Sequence, residues 1–383
     1  MISNDKIIKE TENLLAEEIG AFIPYGKLCG ELKLEEVFTT TTVFLAAHHC
    51  ACGFRGRMDT FSFMQAPWVH SRELCLQVLE GTFRPRYYKE KAIVERGKKR
   101  TIKPPVFTCK VVQKVLCDAI LRPLLEPRMI FDNYAGVRGR GTSHMYERIE
   151  RMLNRDGKQG DYIIRTDFTN FFASIDNAIL ERMLGSHLTD KRILRLFRLF
   201  CPEEKGLSLG NESSQISASF YPSVIDHHFK DMIGCRNYYR YADDILLLAE
   251  DSAAAEVYVK KIRMLAESLG LFIKDEKIQI CSFGDDFVFC KERFLWNREK
   301  KYYYRIMNPM IAKNETRKLK AFRKKYLDGQ MTKEQITLQF QGVLGTIAKH
   351  PNTYQTVKRL QRQYEAVCLP DTSRQSPERP VGE

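Results

Sequence analysis

The pattern of apolar and polar positions changes character along the chain. Residues 1 to about 80 alternate helical patches with short polar breaks. From Tyr87 to Lys114 basic residues crowd in, and two short strands are expected around Lys91–Glu95 and Lys99–Lys103. Pro104-Pro105 ends the second. Val112, Val115, Leu116, Ala119 and Ile120 then recur at helical spacing. Between 162 and 290 strands and helices alternate. Tyr162-Ile163-Ile164 is a short apolar run ending at Asp167, and Asp176 precedes Ile179, Leu180, Met183 and Leu184 as a helix N-cap would. Tyr238-Tyr239-Arg240-Tyr241 and Ile245–Leu248 read as a hairpin with Asp243-Asp244 at its turn. A helix from about Ser252 places Val259, Ile262, Leu265 and Leu269 on one face and stops at Gly270. Strand, helix, hairpin, helix, strand is the order of a split βαβ unit, an antiparallel sheet backed by helices. Beyond Lys300 a helical, basic pattern is expected, and the last fifteen or so residues, with Pro370, Pro377 and Pro380, read as a flexible tail.

Composition adds a partner class. The 383 residues suffice for two or three packed subdomains. Sixty-one Lys and Arg face 48 Asp and Glu, a surplus of +13 that points to a polyanion, whose counterions basic residues release. The N-terminus has no apolar core of signal-peptide length, and no stretch approaches the roughly 18 apolar residues of a membrane span. Eleven cysteines lack the spacing of a disulfide framework, so a reduced, cytoplasmic protein is expected. His48-His49-Cys50-Ala51-Cys52 has the ligand types of zinc without its spacing, and no metal is assigned there.

The acids carry the candidate chemistry. Phosphoryl transfer from a nucleoside triphosphate needs neutralisation of developing charge, which two Mg2+ ions about 3.5–4 Å apart provide. Mg2+ takes hard oxygen ligands and keeps several waters, so two or three carboxylates suffice. Asp167 at a strand end and Asp243-Asp244 at a hairpin turn could meet on neighbouring strands. An Asp-Asp pair alone is also common turn chemistry; here apolar strands flank it, and like charges held together repel unless a cation intervenes.

Tyr241-Ala242-Asp243-Asp244 resembles the signature box of reverse transcriptases. Arg165-Thr166-Asp167-Phe168-Thr169-Asn170-Phe171-Phe172-Ala173-Ser174-Ile175-Asp176 resembles that family's first palm motif, and Gly206-Leu207-Ser208-Leu209-Gly210-Asn211-Glu212-Ser213-Ser214-Gln215 its nucleotide- and template-positioning motif. The resemblance implies an α+β right-hand polymerase fold. Its expected parts are an N-terminal helical extension (1–80), fingers (81–160), an antiparallel-sheet palm (161–298), a helical basic thumb (299–368) and the tail (369–383). It further implies Mg2+, with Mn2+ as a substitute, at Asp167, Phe168, Asp243 and Asp244. Lys277 falls where the family places a lysine proposed to protonate the leaving pyrophosphate. Lys99 and Arg100, in Lys98-Lys99-Arg100, look like the fingers cations that hold the triphosphate. Phe172, Leu209, Gly210 and Gln215 join them in the expected dNTP site. Asn133 to Thr142, with Arg138 and Arg140, is similar to the glycine-rich segment before the palm. Those two arginines, Tyr241, and Lys313, Arg317, Lys320 and Lys324 of the expected thumb are the candidate nucleic-acid contacts. Phe289-Cys290-Lys291 stands at the primer-grip position without the usual glycine.

Phe172, five residues after Asp167, occupies the family's steric-gate position, where a ring collides with a ribose 2′-hydroxyl, so a DNA product is expected. Leu209-Gly210 and Ser214-Gln215 replace the commoner Gln-Gly and Ser-Pro, a version that resembles diversity-generating retroelements and antiphage-defence groups and implies modest fidelity. No endonuclease, maturase or RNase H segment is recognised, and the resemblance at this size suits retrons, defence systems and diversity-generating elements. The expected function is therefore cDNA synthesis from dNTPs on a dedicated structured RNA, with defence as the setting, an RNA–DNA hybrid as partner and oligomerisation left open. The alternatives are a diversity-generating enzyme, an RNA-directed RNA polymerase, or a catalytically idle RNA-binding scaffold. Tyr302, Tyr303 and Tyr304 offer hydroxyls for protein priming, although a tyrosine cluster is more often packing.

Overall fold

A computed structural model describes residues 31–53, 56–95, 98–348 and 350–367, without the side chains of 93–100 and 346. The segment 1–30, the tail 369–383 and the side chains of Lys99 and Arg100 lie outside the described residues. The protein combines helices with antiparallel sheets, an α+β architecture. It divides into two compact units, one formed by the chain up to Thr142 together with Tyr162–Ile280, the other by Ser143–Asp161 and the chain from Cys281 onward. Among the described residues no helix is long and apolar enough to cross a membrane.

The first unit includes, in chain order, helices α1 (Thr40–Cys52) and α2 (Pro67–Leu79), the strand pair β1 (Lys91–Glu95) and β2 (Lys98–Ile102) and helix α3 (Phe107–Leu116). Cys50 lies on α1, and burial pushes its thiol up to about 12. The central sheet comprises β3 (Tyr162–Asp167), β4 (Tyr238–Tyr241), β5 (Asp244–Ala249) and β6 (Gln279–Ser282), in spatial order β4-β5-β3-β6. Between β3 and β4 run α5 (Asn177–Gly185), α6 (Lys191–Phe200) and α7 (Glu212–Phe220), and α8 (Ser252–Ser268) follows β5. This is the strand order of a split βαβ sheet.

β5 is buried from Ile245 to Ala249, as befits a central strand covered on both faces. Its alternation still sorts side chains. Ile245, Leu247 and Ala249, with Ile164 of β3, join the main core, which also holds Ala255, Ile262 and Ala266 of α8. Leu246, Leu248 and Ile163 face the other way, on the parity shared by Asp244 and Asp167. The buried stripe of α8 is Ala255, Tyr258, Ile262 and Ala266, with Val259 and Leu265 beside it. Its ends are signed locally. Asp251 accepts from the Ala254 N–H at 2.7 Å. At the other end the Leu271 N–H reaches the Ala266 carbonyl and the Gly270 N–H the Glu267 carbonyl, with Gly270 at φ +69°.

The second unit contains most of helix α4 (Thr142–Arg155), a three-stranded antiparallel sheet of β7 (Phe287–Phe289), β8 (Glu292–Asn297) and β9 (Tyr302–Met307), and helices α9 (Pro309–Leu327), α10 (Lys333–Ile347) and α11 (Tyr354–Val367). The helical pattern expected beyond Lys300 therefore begins later, at Pro309. The intervening Tyr302-Tyr303-Tyr304 is strand, because Tyr303 must bury against Phe287 and Trp296. Tyr303 is fully buried, and its hydroxyl accepts from the Gly284 N–H and donates to the Asp285 carbonyl. A separate core of Met307, Ala312, Leu319, Ile336, Phe340, Ile347, Leu360 and Val367 holds the helices together.

Candidate active site

β3 and β5 pair so that Asp167 stands directly opposite Asp244. β4 and β5 are joined by two residues only, since Tyr241 pairs with Asp244 and leaves Ala242-Asp243 as the loop. Asp243 is thus fixed beside the other two acids, and its carbonyl accepts from the Phe168 N–H at 3.3 Å. Ala242 has φ +55°, a left-handed conformation unfavourable for a side chain with a Cβ. Such strain concentrates where a site over-determines its backbone.

Partners directly opposite each other across a strand pair have Cβ atoms roughly 5 Å apart, and two carboxylates in those places repel. A cation offsets the repulsion here. The Lys277 ammonium, from the short turn Asp275–Lys277, donates to Asp167 Oδ2 at 2.6 Å. Its pKa is raised, first by that hydrogen bond and then by the charges of Asp167, Asp244 and Asp243. Asp167 Oδ1, by contrast, is buried without a hydrogen-bond partner. Among the described residues no three acidic, His or Cys groups close around a single point. The donor set nevertheless fits a hard divalent cation: carboxylate oxygens on adjacent strands, one of them orphaned.

The first motif turns sharply after the strand. Thr169 donates to the Phe272 carbonyl at 2.8 Å, and Asn170 takes φ +50°, a conformation asparagine tolerates. The short helix Phe171–Ser174 follows, ended by Asp176, whose carboxylate accepts from the Ala178 and Ile179 amides and so starts α5. Phe168 and Phe171 are buried and stacked, while Phe172 is half-buried and meets Phe171 edge-to-face at 5.7 Å.

The third motif is stitched to this helix. Leu207 N–H donates to the Phe172 carbonyl and Gly206 N–H to the Ile175 carbonyl, both at 2.8 Å. A Cβ on Gly206, at φ +89°, would lie 3.4 Å from the Ala173 backbone. Leu209 is half-buried, Gly210 is exposed at φ +109°, and Gln215 is exposed on α7. Asn211, fully buried, precedes α7; its amide donates to Tyr87 and the Phe200 carbonyl and accepts from Gln113. Tyr241 is half-buried beside the acidic turn.

The glycine-rich segment uses its arginines internally. Arg138 pairs with buried Asp118 at 2.7 Å. Arg140 donates to the Ile130 and Phe131 carbonyls and lies over the Phe131 ring at 4.8 Å. Behind the acidic turn lies a cluster that the sequence reading missed. Arg240 and Asp226 form a salt bridge inaccessible to solvent, and Tyr238 donates to the same carboxylate. The signal was available: a lone arginine within an aromatic strand needs a buried acid.

In the second unit Lys313, Arg317, Lys320 and Lys324 are all exposed on α9, while Ala312 and Leu319 are buried. Spacings of four, three and four residues stack the four cations on one face, well away from the apolar stripe. The β7–β8 turn is Cys290-Lys291, with Cys290 at φ +52° in the left-handed region. Lys291 is anchored on both sides, its N–H by the Tyr146 hydroxyl and its carbonyl by the Asn308 N–H.

A family model described as reverse transcriptase (RNA-dependent DNA polymerase) matches residues 88–341. No curated protein matches the chain.

Proposed function

The chain belongs to the reverse transcriptase family, and on that premise we propose that it copies a dedicated structured RNA into DNA at the carboxylates of Asp167, Asp243 and Asp244. The observation that carries this reading is the in-register pairing of Asp167 with Asp244 beside a two-residue turn holding Asp243. Members of the family are RNA-directed DNA polymerases that act on dNTPs, and such enzymes generally use divalent metals. In right-hand terms, the sheet and its helices are the palm, β1 and β2 belong to the fingers, and α9–α11 form the thumb.

The reaction joins the primer 3′-hydroxyl oxygen to the α-phosphorus of a dNTP and breaks the bond to pyrophosphate, while the hydroxyl proton passes to water. Asp167, Asp243, Asp244 and the Phe168 backbone would hold Mg2+, or Mn2+ in its place, and when bound it would supply the charge neutralisation that this transfer requires. Lys277 is placed to give a proton to the leaving pyrophosphate. The Asp167 hydrogen bond and the neighbouring carboxylate charges keep that proton on Lys277 before transfer. Lys99 and Arg100 would engage the triphosphate. Phe172, steadied by Phe171 and by the Leu207 hydrogen bond, acts as the wall against a 2′-hydroxyl. Leu209, Gly210 and Gln215 would line the sugar and template side and Tyr241 would meet the nucleic acid, whereas Arg138 and Arg140 would have to release Asp118 and the Ile130 and Phe131 carbonyls to do so. The cationic face of α9 suits the phosphates of an RNA–DNA hybrid. The Leu209-Gly210 and Ser214-Gln215 version of the third motif supports a setting in antiphage defence or in sequence diversification.

Primer extension on an RNA template with labelled dNTPs tests this, run beside the Asp243→Asn, Asp244→Asn double variant. Divalent-dependent extension by the wild type alone is expected. Binding of RNA with no extension on any template, including RNA co-purified from the host, would leave the scaffold reading standing instead.

A further inference from the structure

The turn that carries Asp243 and Asp244 rests on a buried charge pair with no part in the transfer chemistry above. Arg240 and Asp226 are both fully inaccessible to solvent. Arg240 Nε donates to both carboxylate oxygens of Asp226, at 2.8 and 3.0 Å, and Nη2 donates to one of them at 2.6 Å. Nη2 also reaches the Ser219 carbonyl at 2.7 Å, and the Tyr238 hydroxyl completes the carboxylate at 2.8 Å. The backbone of Arg240 is held as well, its N–H by the Asp132 carbonyl and its own carbonyl by the Tyr134 N–H.

The guanidinium has one further contact: Nη1 donates to the Ala242 carbonyl at 3.0 Å. Ala242 is the loop residue at φ +55°, immediately before Asp243. Stability explains such a pair poorly. Desolvating two charges is costly, and apolar replacements of a buried pair are often as stable. A rigid fork reaching a strained carbonyl, with its other arms fastened to a buried acid, is better matched to fixing geometry.

We propose that Arg240, locked by Asp226, is a positioning residue that pins the Ala242 carbonyl and holds the turn in its left-handed form. The direction in which Asp243 and Asp244 present their carboxylates then depends on this pair. The proposal rests on reading those acids as catalytic for its effect on rate, but not for its effect on the turn itself.

The test uses the full chain with Asp226→Asn and Arg240→Met together, which removes both charges and keeps an acceptor for the Tyr238 hydroxyl. A second variant, Arg240→Lys, keeps the charge against Asp226 but lacks the fork that reaches Ala242. Both are compared by thermal melting, by kcat and KM for dNTP, and by hydrogen–deuterium exchange of the peptide spanning Tyr241 to Ile245. At least one variant is expected to melt within a few degrees of the wild type. Turn amides should exchange at least tenfold faster, and kcat should fall about 30-fold with KM for dNTP unchanged. Adding Ala242→Gly, which adopts φ +55° freely, should restore most of the lost kcat. A folded variant with unchanged exchange and unchanged kcat overturns the proposal, as does a kcat loss that glycine fails to repair. Should the wild type itself not extend a primer, the catalytic reading fails, and exchange at the turn alone decides the positioning claim.

Discussion

In the first unit Arg240 is buried against Asp226, Lys230 donates to buried Asp132 at 2.7 Å, and Lys114 and Arg138 converge on buried Asp118. In the second unit Lys313, Arg317, Lys320 and Lys324 stand in solvent along one face of α9. Both regions are rich in cations, yet charge does different work in each. Paired with buried acids, it is used inside the fold, and around Arg240 and Asp226 low dielectric makes each bond directional and each loss costly. Exposed on one helix face, it is available to a polyanion and contributes little to the fold. Among the described residues the second unit keeps buried acids of its own: Asp161, which accepts from the Lys158 N–H, and Glu292, which accepts from Arg305 and pairs with His350. The net charge of a chain therefore cannot be read as a binding surface until its partners are known.

The acids should give the largest effect. Asp244→Asn removes a carboxylate opposite Asp167 and is expected to lower kcat by about a thousandfold, since metal-type charge stabilisation is worth several kcal/mol. Melting should not fall, because one like-charge repulsion disappears with it. A variant that melts lower and still extends primers would put these acids on the structural side of the comparison. Next comes Lys277→Met, for which single-turnover incorporation should slow by about 10²-fold, the size of general acid catalysis. An unchanged rate would reduce Lys277 to an electrostatic spacer for Asp167.

The α9 face should behave differently in kind. Replacing Lys313, Arg317, Lys320 and Lys324 together by Ala should reduce the slope of log affinity against log salt by about 3, at roughly 0.7–0.9 per phosphate contact. Melting temperature and the rate on saturating template should hold. A salt slope equal to the wild type's would make the stripe a solvated face and nothing more.

The smallest effect concerns Asp190, whose carboxylate caps α6 and accepts from the Leu34 N–H at 2.9 Å. Its pKa is lowered to about 2, chiefly by the Arg192 hydrogen bond. A depressed acid contributes stability above its unfolded value near 4 and loses it as pH falls toward 2. Asp190→Ala should therefore cost about 1 kcal/mol at pH 7, typical of a cap, measured by chemical denaturation. The difference from wild type should shrink as pH falls from 4 to 2. A gap that persists at pH 2 would mean that the charge is irrelevant.

Local order was legible where a short-range rule governs it. The Tyr238–Leu248 hairpin, the Asp176 cap, the Gly270 stop and the exposure of four cations at helical spacing all follow from neighbours within a few residues. The strand at Tyr302–Met307 was not legible. A tyrosine run carries no periodicity, and its state follows from pairing with β8. Nor were the bonds of Arg138 and Arg140, since an arginine beside glycines looks alike whether it meets phosphate or Asp118.

By itself, then, the sequence determined the type and order of most elements, the acidic turn and a family resemblance, because these depend on propensity, period and spacing. Only the tertiary structure decided which face of the sheet carries Asp167 and Asp244, that they stand in register, and that Arg240 and Asp226 meet beneath them. Register and burial are contacts between residues far apart in the chain. A single residue of slip in β3 or β5 would turn every side chain of that strand to the opposite face.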